Sequence, residues 1–558
     1  MHRRHLRNII LLIIALAAIL VVVDRCFWAQ IAQWREDQAA SLWLGYTVGI
    51  LHMPVGLISS RYIPNPNGMI LLGSLLSVLP SLLSVSLFLG LLQALLVVLV
   101  AWKASAKSWQ YFALAALPTL SSVILRSSSV ELWNQYVILL VNIFFLFWAL
   151  RYLEKPSLWN LPPIVILIVL APSLYLAGAV NAVVMVLLTL GMLLYKQHEW
   201  KHILPVAAIT AIIVAVSYAV TWRPYFQSVS LGQLLEIDKV HPGPVAAFRT
   251  LWESVFGIPI YGTFQWADQS FFTRAIKHAD GAILAAPTKV LLRMVGRIYL
   301  LQAIFAFAAA LYVIYRLIVY GRSQTANNQA LNVPALRLVI LSILFISLSF
   351  TISAWMGGPN WLDGERPDQI VQFLPMFLFF IFLLPVLVQI GGRSGRVIKG
   401  ISYFLLALFV AINLLCGFMI VRDHLQYRGN ALTEADVPLV DKELALKYIA
   451  SDWSHFSTSD RIPVDYDIDR GIWENVSSSE PARILNNWYP ASLTEGRGFD
   501  YDMLRGYGLK NEQEGIQLRS FGNSRYLVTY SFEAPPQVKI GHTTERIFGR
   551  LRVTTVEK

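Results

Sequence analysis

Long apolar runs recur along the sequence, and this feature limits the folds open to the chain more than any other. A helix needs about 18 or more apolar residues to cross the hydrocarbon core of a bilayer, and many of these runs are that long. Only 14% of the 558 residues are charged, whereas 56% are hydrophobic. The sequence therefore predicts an all-α polytopic membrane domain.

The formal net charge of +11 does not indicate nucleic acid as a partner, because the cations fall mostly in short segments between apolar runs. Cations in such places orient helices, with the positive loops inside. The N-terminal MHRRHLRN precedes an apolar run that ends near Trp28, and the following residues lack the small side chains of a cleavage site. We expect an uncleaved anchor with a cytoplasmic N-terminus, and neither Cys26 nor Cys416 suggests a disulfide framework.

The run from Met69 to Trp102 is too long for one crossing and contains Pro80, whose ring interrupts a helix. We divide it into a short juxtamembrane or re-entrant helix ending near Leu79 and a span from about Leu82. The hydropathy pattern then predicts about 11 spans. They cover residues 9–28, 82–102, 109–125, 132–150, 161–176, 178–195, 203–221, 298–319, 336–355, 369–390 and 400–421.

This division places the cationic clusters of the short loops on the inner side of a membrane. They are Lys103 and Lys107, Arg151 and Lys155, Lys196 and Lys201, Arg316 with Arg322 and Arg337, and Arg393 with Arg396 and Lys399. The transmembrane domain then covers residues 1–421, with outer loops 29–68, 126–131, 223–297 and 355–369.

The tail, residues 422–558, changes to a polar composition without a spanning run and is predicted to be a soluble α+β or β-rich domain on the outer face. The segment SRYLVTYSF has the alternation of a strand, and TERIFGRLRVTTVE is predicted to be another strand. The segment DKELALKYIASDW has the apolar spacing of a helix.

Two acidic sites are predicted at the outer face, Glu36 with Asp37 after the first span and Glu131 at the end of RSSSVE. Each has a simpler interpretation, since acids favour helix N-termini and Glu131 could cap the helix that follows. A carboxylate at the membrane boundary can also act as a general base toward an attacking hydroxyl or amine.

Arg61 and Arg366 are predicted on the same face, where a guanidinium group can hold a phosphate through two hydrogen bonds. The simpler interpretations are that Arg61 is an interfacial anchor beside Tyr62 and that Arg366 pairs with Glu365 or Asp363.

The order of these motifs resembles the GT-C glycosyltransferases, which include lipid A aminoarabinose transferases and protein O-mannosyltransferases. In that family an Asp-Glu pair with a catalytic Asp follows the first helix, and the loop leads to an Arg-Tyr-Phe-Glu-Lys-Pro-Pro segment. The similar positions here read Asp37-Gln38 and RYIPNPN at 61–67. Gln38 departs from the family pattern unless the pair is registered as Glu36-Asp37, and Asn65 departs from it at the family lysine. The likeness of architecture covers roughly residues 1–421.

The resemblance implies inverting transfer of a sugar from a polyprenyl-phosphate carrier to a glycan, lipid or protein acceptor, in a bacterial plasma membrane with the C-terminal domain extracytoplasmic. It implies Asp37 as base, Glu131 positioning the acceptor, and Arg61 and Arg366 on the carrier phosphate, with Tyr62 and Glu365 as further pocket candidates. Some members need a divalent cation and others do not. The isolated histidines of the loops do not form a metal cluster here.

Three other functions stay open. A lipid-linked oligosaccharide ligase or polymerase depends on outer-loop arginines and a histidine, and the loop 223–297 contains His241, Arg249 and His278. A transporter would bind its substrate near the midplane through intramembrane charges or paired broken helices. The departures at Gln38 and Asn65 also leave open an inactive relative that acts through its outer domain.

Overall fold

The computed structural model describes most of the membrane domain and parts of the tail. The described residues are 2–32, 41–42, 65–76, 78–79, 81–105, 108–195, 202–229, 284–320, 333–355, 371–387, 393–426, 437–455, 461–462, 464–467, 498–499, 526–531 and 542–557.

This part of the chain is mostly helical. The helices of the N-terminal half are α1 His2–Gln30, α2 Gly68–Leu76, α3 Leu82–Ser105, α4 Trp109–Ser121, α5 Val123–Ser129, α6 Asn134–Glu154, α7 Leu161–Leu174, α8 Gly178–Tyr195 and α9 Ile203–Ser217. A π-helical turn, Tyr218–Trp222, joins α9 to α10. The remaining helices are α10 Arg223–Ser228, α11 Ala286–Tyr320, α12 Val333–Trp355, α13 Leu374–Leu387, α14 Arg393–Leu425 and α15 Leu439–Ser454.

Seven helical segments are long and apolar enough to cross a membrane, judged by length and composition over the described residues. Such a set is compatible with an integral membrane protein. The segments are Leu82–Ser105, Asn134–Glu154, Gly178–Tyr195, Ile203–Ser228, Ala286–Tyr312, Pro334–Ser353 and Arg396–Leu425.

Other apolar helices are shorter than a bilayer core. The helices α7 and α13 have 14 residues each, and α4 has 13; 14 residues rise only about 21 Å, against a core of about 30 Å. The prediction of one helix over 109–125 is wrong, because the chain leaves the helical conformation at Ser122, where ψ is 120°, and restarts as α5. Pro118 lies inside α4, one turn before this break.

The run around Pro80 is divided as the sequence predicts. The helix α2 has nine residues, which rise about 14 Å and are too few for a crossing. Helical structure resumes at Leu82, beyond the proline. The first turn of α3 is held by the Glu443 carboxylate, which accepts a hydrogen bond from the Leu83 N–H at 3.0 Å.

The core of the bundle forms around α13, in which nearly every residue is buried. This helix is apolar on all sides, which is the composition of a helix surrounded by others, and it packs against α4, α11, α12 and α14. Phe373, just before α13, contacts Phe345 and Phe350 of α12 with ring centroids 6.3 and 5.3 Å apart. In contrast, α9 is largely exposed and contacts mainly α7.

Contacts between helix ends join ends that the sequence assigns to one side of a membrane. At the predicted inner side, Lys103 at the end of α3 pairs with Glu154 at the end of α6. Arg337 of α12 donates to the Leu153 carbonyl at 2.8 Å on the same side. At the opposite end, Asp423 of α14 accepts from the Ala285 N–H at 2.9 Å, just ahead of α11.

The tail contains α15 and a small sheet, so its described part has both helix and strands. The strands are β1 Arg461–Ile462, β2 Val464–Asp467, β3 Gly498–Phe499, β4 Tyr526–Tyr530, β5 His542–Phe548 and β6 Leu551–Glu557. Four of them form a sheet in the order β2-β4-β6-β5, with β2 and β4 parallel. The predictions of a helix in DKELALKYIASDW and a strand in SRYLVTYSF are confirmed.

The prediction of a single strand in TERIFGRLRVTTVE is wrong, because the segment is a hairpin of β5 and β6. Phe548 pairs with Leu551, so Gly549 and Arg550 form a two-residue turn. Gly549 has φ of 57°, which only glycine adopts without strain. The helix α14 ends at Leu425, four residues beyond the predicted domain boundary at 421.

The glycine at the start of α8 is expected to be required for packing. A Cβ on Gly178 would overlap the backbone oxygen of Ala171, so Gly178→Ala should destabilise the protein by about 1–3 kcal/mol, the usual cost of overpacking. The midpoint of thermal unfolding of the purified protein measures this loss. The control is Gly191→Ala on the same helix, where nothing lies within 4 Å; equal midpoints for the two variants would contradict the expectation.

Candidate functional site

Of the residues that the sequence predicts for a site, Glu131 lies in the described part of the chain. The others lie outside the described residues: Glu36, Asp37, Arg61, Tyr62, Glu365 and Arg366. The meeting of Asp37 and Glu131 therefore stays a prediction.

Glu131 lies in a buried turn between α5 and α6. It is 2% exposed, and its backbone N–H donates to the Ser128 carbonyl at 3.3 Å. The helix α6 begins at Asn134, with Trp133 in the N-cap position. The interpretation of Glu131 as a helix cap is therefore wrong, because it precedes the cap by two residues. A carboxylate enclosed in this way is costly unless polar or cationic groups of the protein surround it.

The predicted outer turn 126–131 is also different from the expectation. All six of its residues are buried, and the first four belong to α5. The acid consequently follows a helical turn packed inside the end of the bundle instead of an exposed loop.

Arg126, on this same turn, belongs to an ion cluster that sequence reasoning missed. Its Nη1 donates to Asp24 Oδ1 at 2.6 Å. Arg25 Nη1 donates to Asp24 Oδ2, also at 2.6 Å. Both arginines are 1% exposed, so one carboxylate near the end of α1 serves two enclosed guanidinium groups.

The remaining contacts of Arg25 are with neutral groups. Its Nη2 lies 3.3 Å from Gln93 Oε1 and 3.4 Å from the Leu120 carbonyl. Within the described part of the chain, Asp24 is the one carboxylate paired with either Arg25 or Arg126. Among the described residues, this cluster has two buried guanidinium groups for one carboxylate. A buried charge without a counterion is strongly unfavourable.

The second half of the Arg126 guanidinium is held by α14. Its Nη2 donates to the Asn413 carbonyl at 2.5 Å, and its Cζ lies 5.4 Å from the centroid of the Trp28 ring. A Cβ on Gly417 would overlap the guanidinium group. A glycine at this position is what allows α14 to approach Arg126 so closely.

Asn413 also stabilises the break between α4 and α5. Its Oδ1 accepts from the Val123 N–H at 2.9 Å, and Val123 is the first residue of α5. The first N–H groups of a helix have no acceptor within the helix, so a side chain from another helix supplies one. One residue of α14 thus holds both the backbone of α5 and its arginine.

Two buried asparagines anchor the end of the segment that is predicted to be the first outer loop. Asn65 Oδ1 accepts from the Leu176 N–H at 3.4 Å. Asn67 Nδ2 donates to the Val220 carbonyl at 3.2 Å, within the π-helical turn. A π-helical turn leaves carbonyl groups out of the regular pattern, and Asn67 contacts one of them.

This loop end and the start of α6 are neighbours through the turn between α7 and α8. Leu176, the partner of Asn65, lies two residues before Gly178. Gly178 packs directly against Ile138 on the first turns of α6. The segment 65–67 therefore lies at the same end of the bundle as Glu131.

Three buried amides connect α6, α8 and the start of α13. Asn181 Nδ2 donates to Gln372 Oε1 at 2.9 Å, and Asn142 Nδ2 lies 3.4 Å from the Gln372 carbonyl. Gln372 follows Arg366 by six residues in the chain. The amide contacts fix the point at which the predicted phosphate-binding loop returns to the bundle.

The signal for the ion cluster was present in the sequence. Asp24, Arg25 and Arg126 interrupt or border apolar runs, and ionisable residues in such places are expensive unless they have a function or a partner.

No group of three or more His, Cys, Asp or Glu residues that could hold a metal ion was found among the described residues.

Neither a protein-family model, nor a curated protein, nor a solved structure matches the chain.

Loss of the Asp24 charge should destabilise the protein, because Arg25 and Arg126 would then be buried without a counterion. We expect Asp24→Asn to lower the free energy of unfolding by about 3–5 kcal/mol, the usual effect of breaking a buried ion pair. The midpoint of thermal unfolding followed by tryptophan fluorescence reports the change.

The control is Glu154→Gln, which removes the partner of Lys103 from the other end of the bundle. The Glu154 side chain is 46% exposed, and such an exposed pair contributes at most about 1 kcal/mol. A similar decrease in midpoint for both variants would show that the buried cluster contributes no more to stability than the exposed pair.

Proposed function

We propose that the chain is a membrane glycosyltransferase that moves a sugar from a polyprenyl-phosphate carrier to an acceptor on the extracytoplasmic face. The observation that supports it best is the enclosed position of Glu131, 2% exposed, at the bundle end to which Asn65 and Asn67 anchor the first outer loop. An acid and a loop end from separate parts of the chain are thereby brought to one region, as the resemblance requires.

The proposed topology has 11 crossings: α1, α3, α4 with α5, α6, α7, α8, α9, α11, α12, α13 and α14. The shorter helices cross with help from flanking segments and from neighbouring helices, which satisfy the backbone groups at their ends. The helix-end contacts support this arrangement, since they join ends with the same predicted sidedness. The cations of Lys103 and Arg337 then lie inside, and the tail with α15 lies outside.

The proposed reaction is an inverting displacement. The acceptor oxygen or nitrogen attacks the anomeric carbon of the carrier-linked sugar while its proton passes to Asp37. The bond between the anomeric carbon and the phosphate oxygen breaks, and polyprenyl phosphate leaves. Glu131 orients the acceptor, and Arg61 with Arg366 stabilises the charge that develops on the leaving phosphate, as fixed cationic donors do.

The test follows polyprenyl phosphate, because this product is common to every sugar. Proteoliposomes with the full chain receive a panel of polyprenyl-phosphate sugars and acceptors, and released polyprenyl phosphate is measured. We expect Asp37→Asn to lower the rate by about 10²–10⁴-fold, the usual contribution of a general base. Glu131→Gln should lower the rate and raise the acceptor concentration needed for half-maximal rate.

Glu154→Gln is the control for Asp37→Asn, since it removes an exposed acid at the other end of the bundle, and it should retain transfer. Equal amounts of each variant in the membrane exclude misfolding as the cause. Unchanged release with Asp37→Asn, together with loss of release when His241 or His278 is replaced by Ala, would favour the ligase instead. Counterflow of substrate that does not depend on these acids would favour a transporter.

A further inference from the structure

A cavity of about 280 Å³ lies beside the ion cluster, between α1 and α14 with α5 at its base. Ligand pockets begin at about 300 Å³, so this cavity can take a headgroup and the carbons next to it, not a whole lipid. Its walls are formed by Asp24, Phe27, Trp28, Arg126, Leu414, Gly417, Phe418, Val421, Arg422, Leu425 and Gln426.

The cavity opens toward the outer surface of the helix bundle. Phe27 is 47% exposed and Phe418 is 64% exposed, and they lie on the two helices that flank the cavity. Their neighbours Val23 and Leu415 are also exposed apolar residues. In a membrane-spanning bundle, such a surface faces lipid chains.

Charges are found at two levels of the cavity. Arg126 lies at the base, and its counterion Asp24 is shared with Arg25. Arg422 lies nearer the end of α14, and its side chain is 29% exposed.

Each of the two described carboxylates near the cavity is already paired with arginine. Asp24 accepts from two arginines. Asp423 accepts from Arg422 at 2.7 Å through one oxygen, and from the Thr288 hydroxyl at 2.5 Å through the other. Of the described charged residues that line the cavity, two are arginines and one is a carboxylate, which leaves an excess of one positive charge beside an apolar space.

Two buried donors of the cavity wall have no acceptor within the described structure. They are Nε of Arg126 and Nε1 of Trp28, both on residues that are 1% exposed. A buried N–H without an acceptor costs free energy, so both donors favour a ligand with oxygen atoms at this wall.

We propose that the cavity lined by Phe27, Arg126, Phe418 and Arg422 binds a membrane lipid with a phosphate headgroup. The phosphate contacts the arginines, and the adjoining hydrocarbon chain lies along Phe27 and Phe418. Guanidinium groups suit phosphate oxygens, and the field of a buried charge is strong where water is excluded. This binding does not depend on the proposed glycosyl transfer.

The first experiment identifies the lipid. The full chain is purified in a mild detergent, and the lipids that stay bound are counted and identified by native and extract mass spectrometry. We expect a bound lipid with a phosphate group. A glycerophospholipid and a polyprenyl phosphate both support the proposal, and their masses distinguish them. A bound lipid without phosphate, or inorganic phosphate alone, would overturn it.

Two variants test whether the lipid lies in the cavity. Leu414→Trp fills the space from an exposed position, and Arg422→Gln removes the charge at the opening. Each should reduce the retained lipid by about tenfold, as expected for loss of one charge-assisted contact or of the apolar seat.

The chain offers a matched control for each variant. Leu415→Trp changes the adjacent leucine, which is 49% exposed against 46% for Leu414 but does not line the cavity. Lys399→Gln removes an exposed cation from the other end of α14. Both controls should retain the lipid; equal retention in all four variants would overturn the proposal.

Adding lipids back to delipidated protein distinguishes the contribution of the phosphate group from that of the hydrocarbon chain. Delipidated protein is mixed with dioleoyl phosphatidylglycerol or dioleoylglycerol, and with polyprenyl phosphate or polyprenol. A rise in the midpoint of thermal unfolding is expected with at least one of the two phosphate-bearing lipids, and not with its phosphate-free counterpart. Equal rises within both pairs would overturn the role of the arginines. Since no sugar is transferred in this assay, its result is independent of the transferase test.

Discussion

The bundle depends on remote side chains that satisfy backbone groups where helices break. Without water in the hydrocarbon region, a free N–H or carbonyl has to find its partner inside the protein. Asn413 contacts the Val123 N–H at the break after α4, and Asn67 contacts the Val220 carbonyl at the π-helical turn. Glu443 contacts the Leu83 N–H at the first turn of α3. Each break can therefore exist only in the assembled fold, which explains how a chain with several short helices still forms one core.

Most of the described buried charges of the helix bundle lie at the end where α5 meets α1 and α14. A shared carboxylate between Arg25 and Arg126 joins α1 to α5, and the Asn413 carbonyl joins α5 to α14. Removing one partner of such a cluster is costly, but the intact cluster adds little net stability, since the cost of burying its charges offsets their attraction. Intramembrane charges of this kind are instead a sign of function. Both proposals, the transferase and the lipid site, are based on this end of the molecule.

Local sequence signals predicted the local structure. The break near Pro80, the helix 439–454 and the strand at 526–530 follow from a missing N–H, from apolar spacing and from alternation. The hairpin of β5 and β6 could also have been predicted, because Gly549 and Arg550 lie between two runs with the alternation of strands. The charges of the ion cluster were visible as interruptions of apolar runs, but their partners could not be predicted, since Arg126 lies 102 residues from Asp24 and 287 from Asn413. Pattern and propensity carry no information on which distant residues share a carboxylate. Glu131 was interpreted as a helix cap because the exact first residue of α6 could not be predicted from the local pattern.

The reach from Arg126 to Asn413 has a consequence for biogenesis. The acceptor is made 287 residues after the donor, which corresponds to about 15–60 s of translation at ordinary speeds. During that interval Arg126 lacks the Asn413 carbonyl as an acceptor, and a chain that ends before α14 never gains it. The contact that closes α14 onto α5 is therefore one of the last that the helix bundle can form during synthesis.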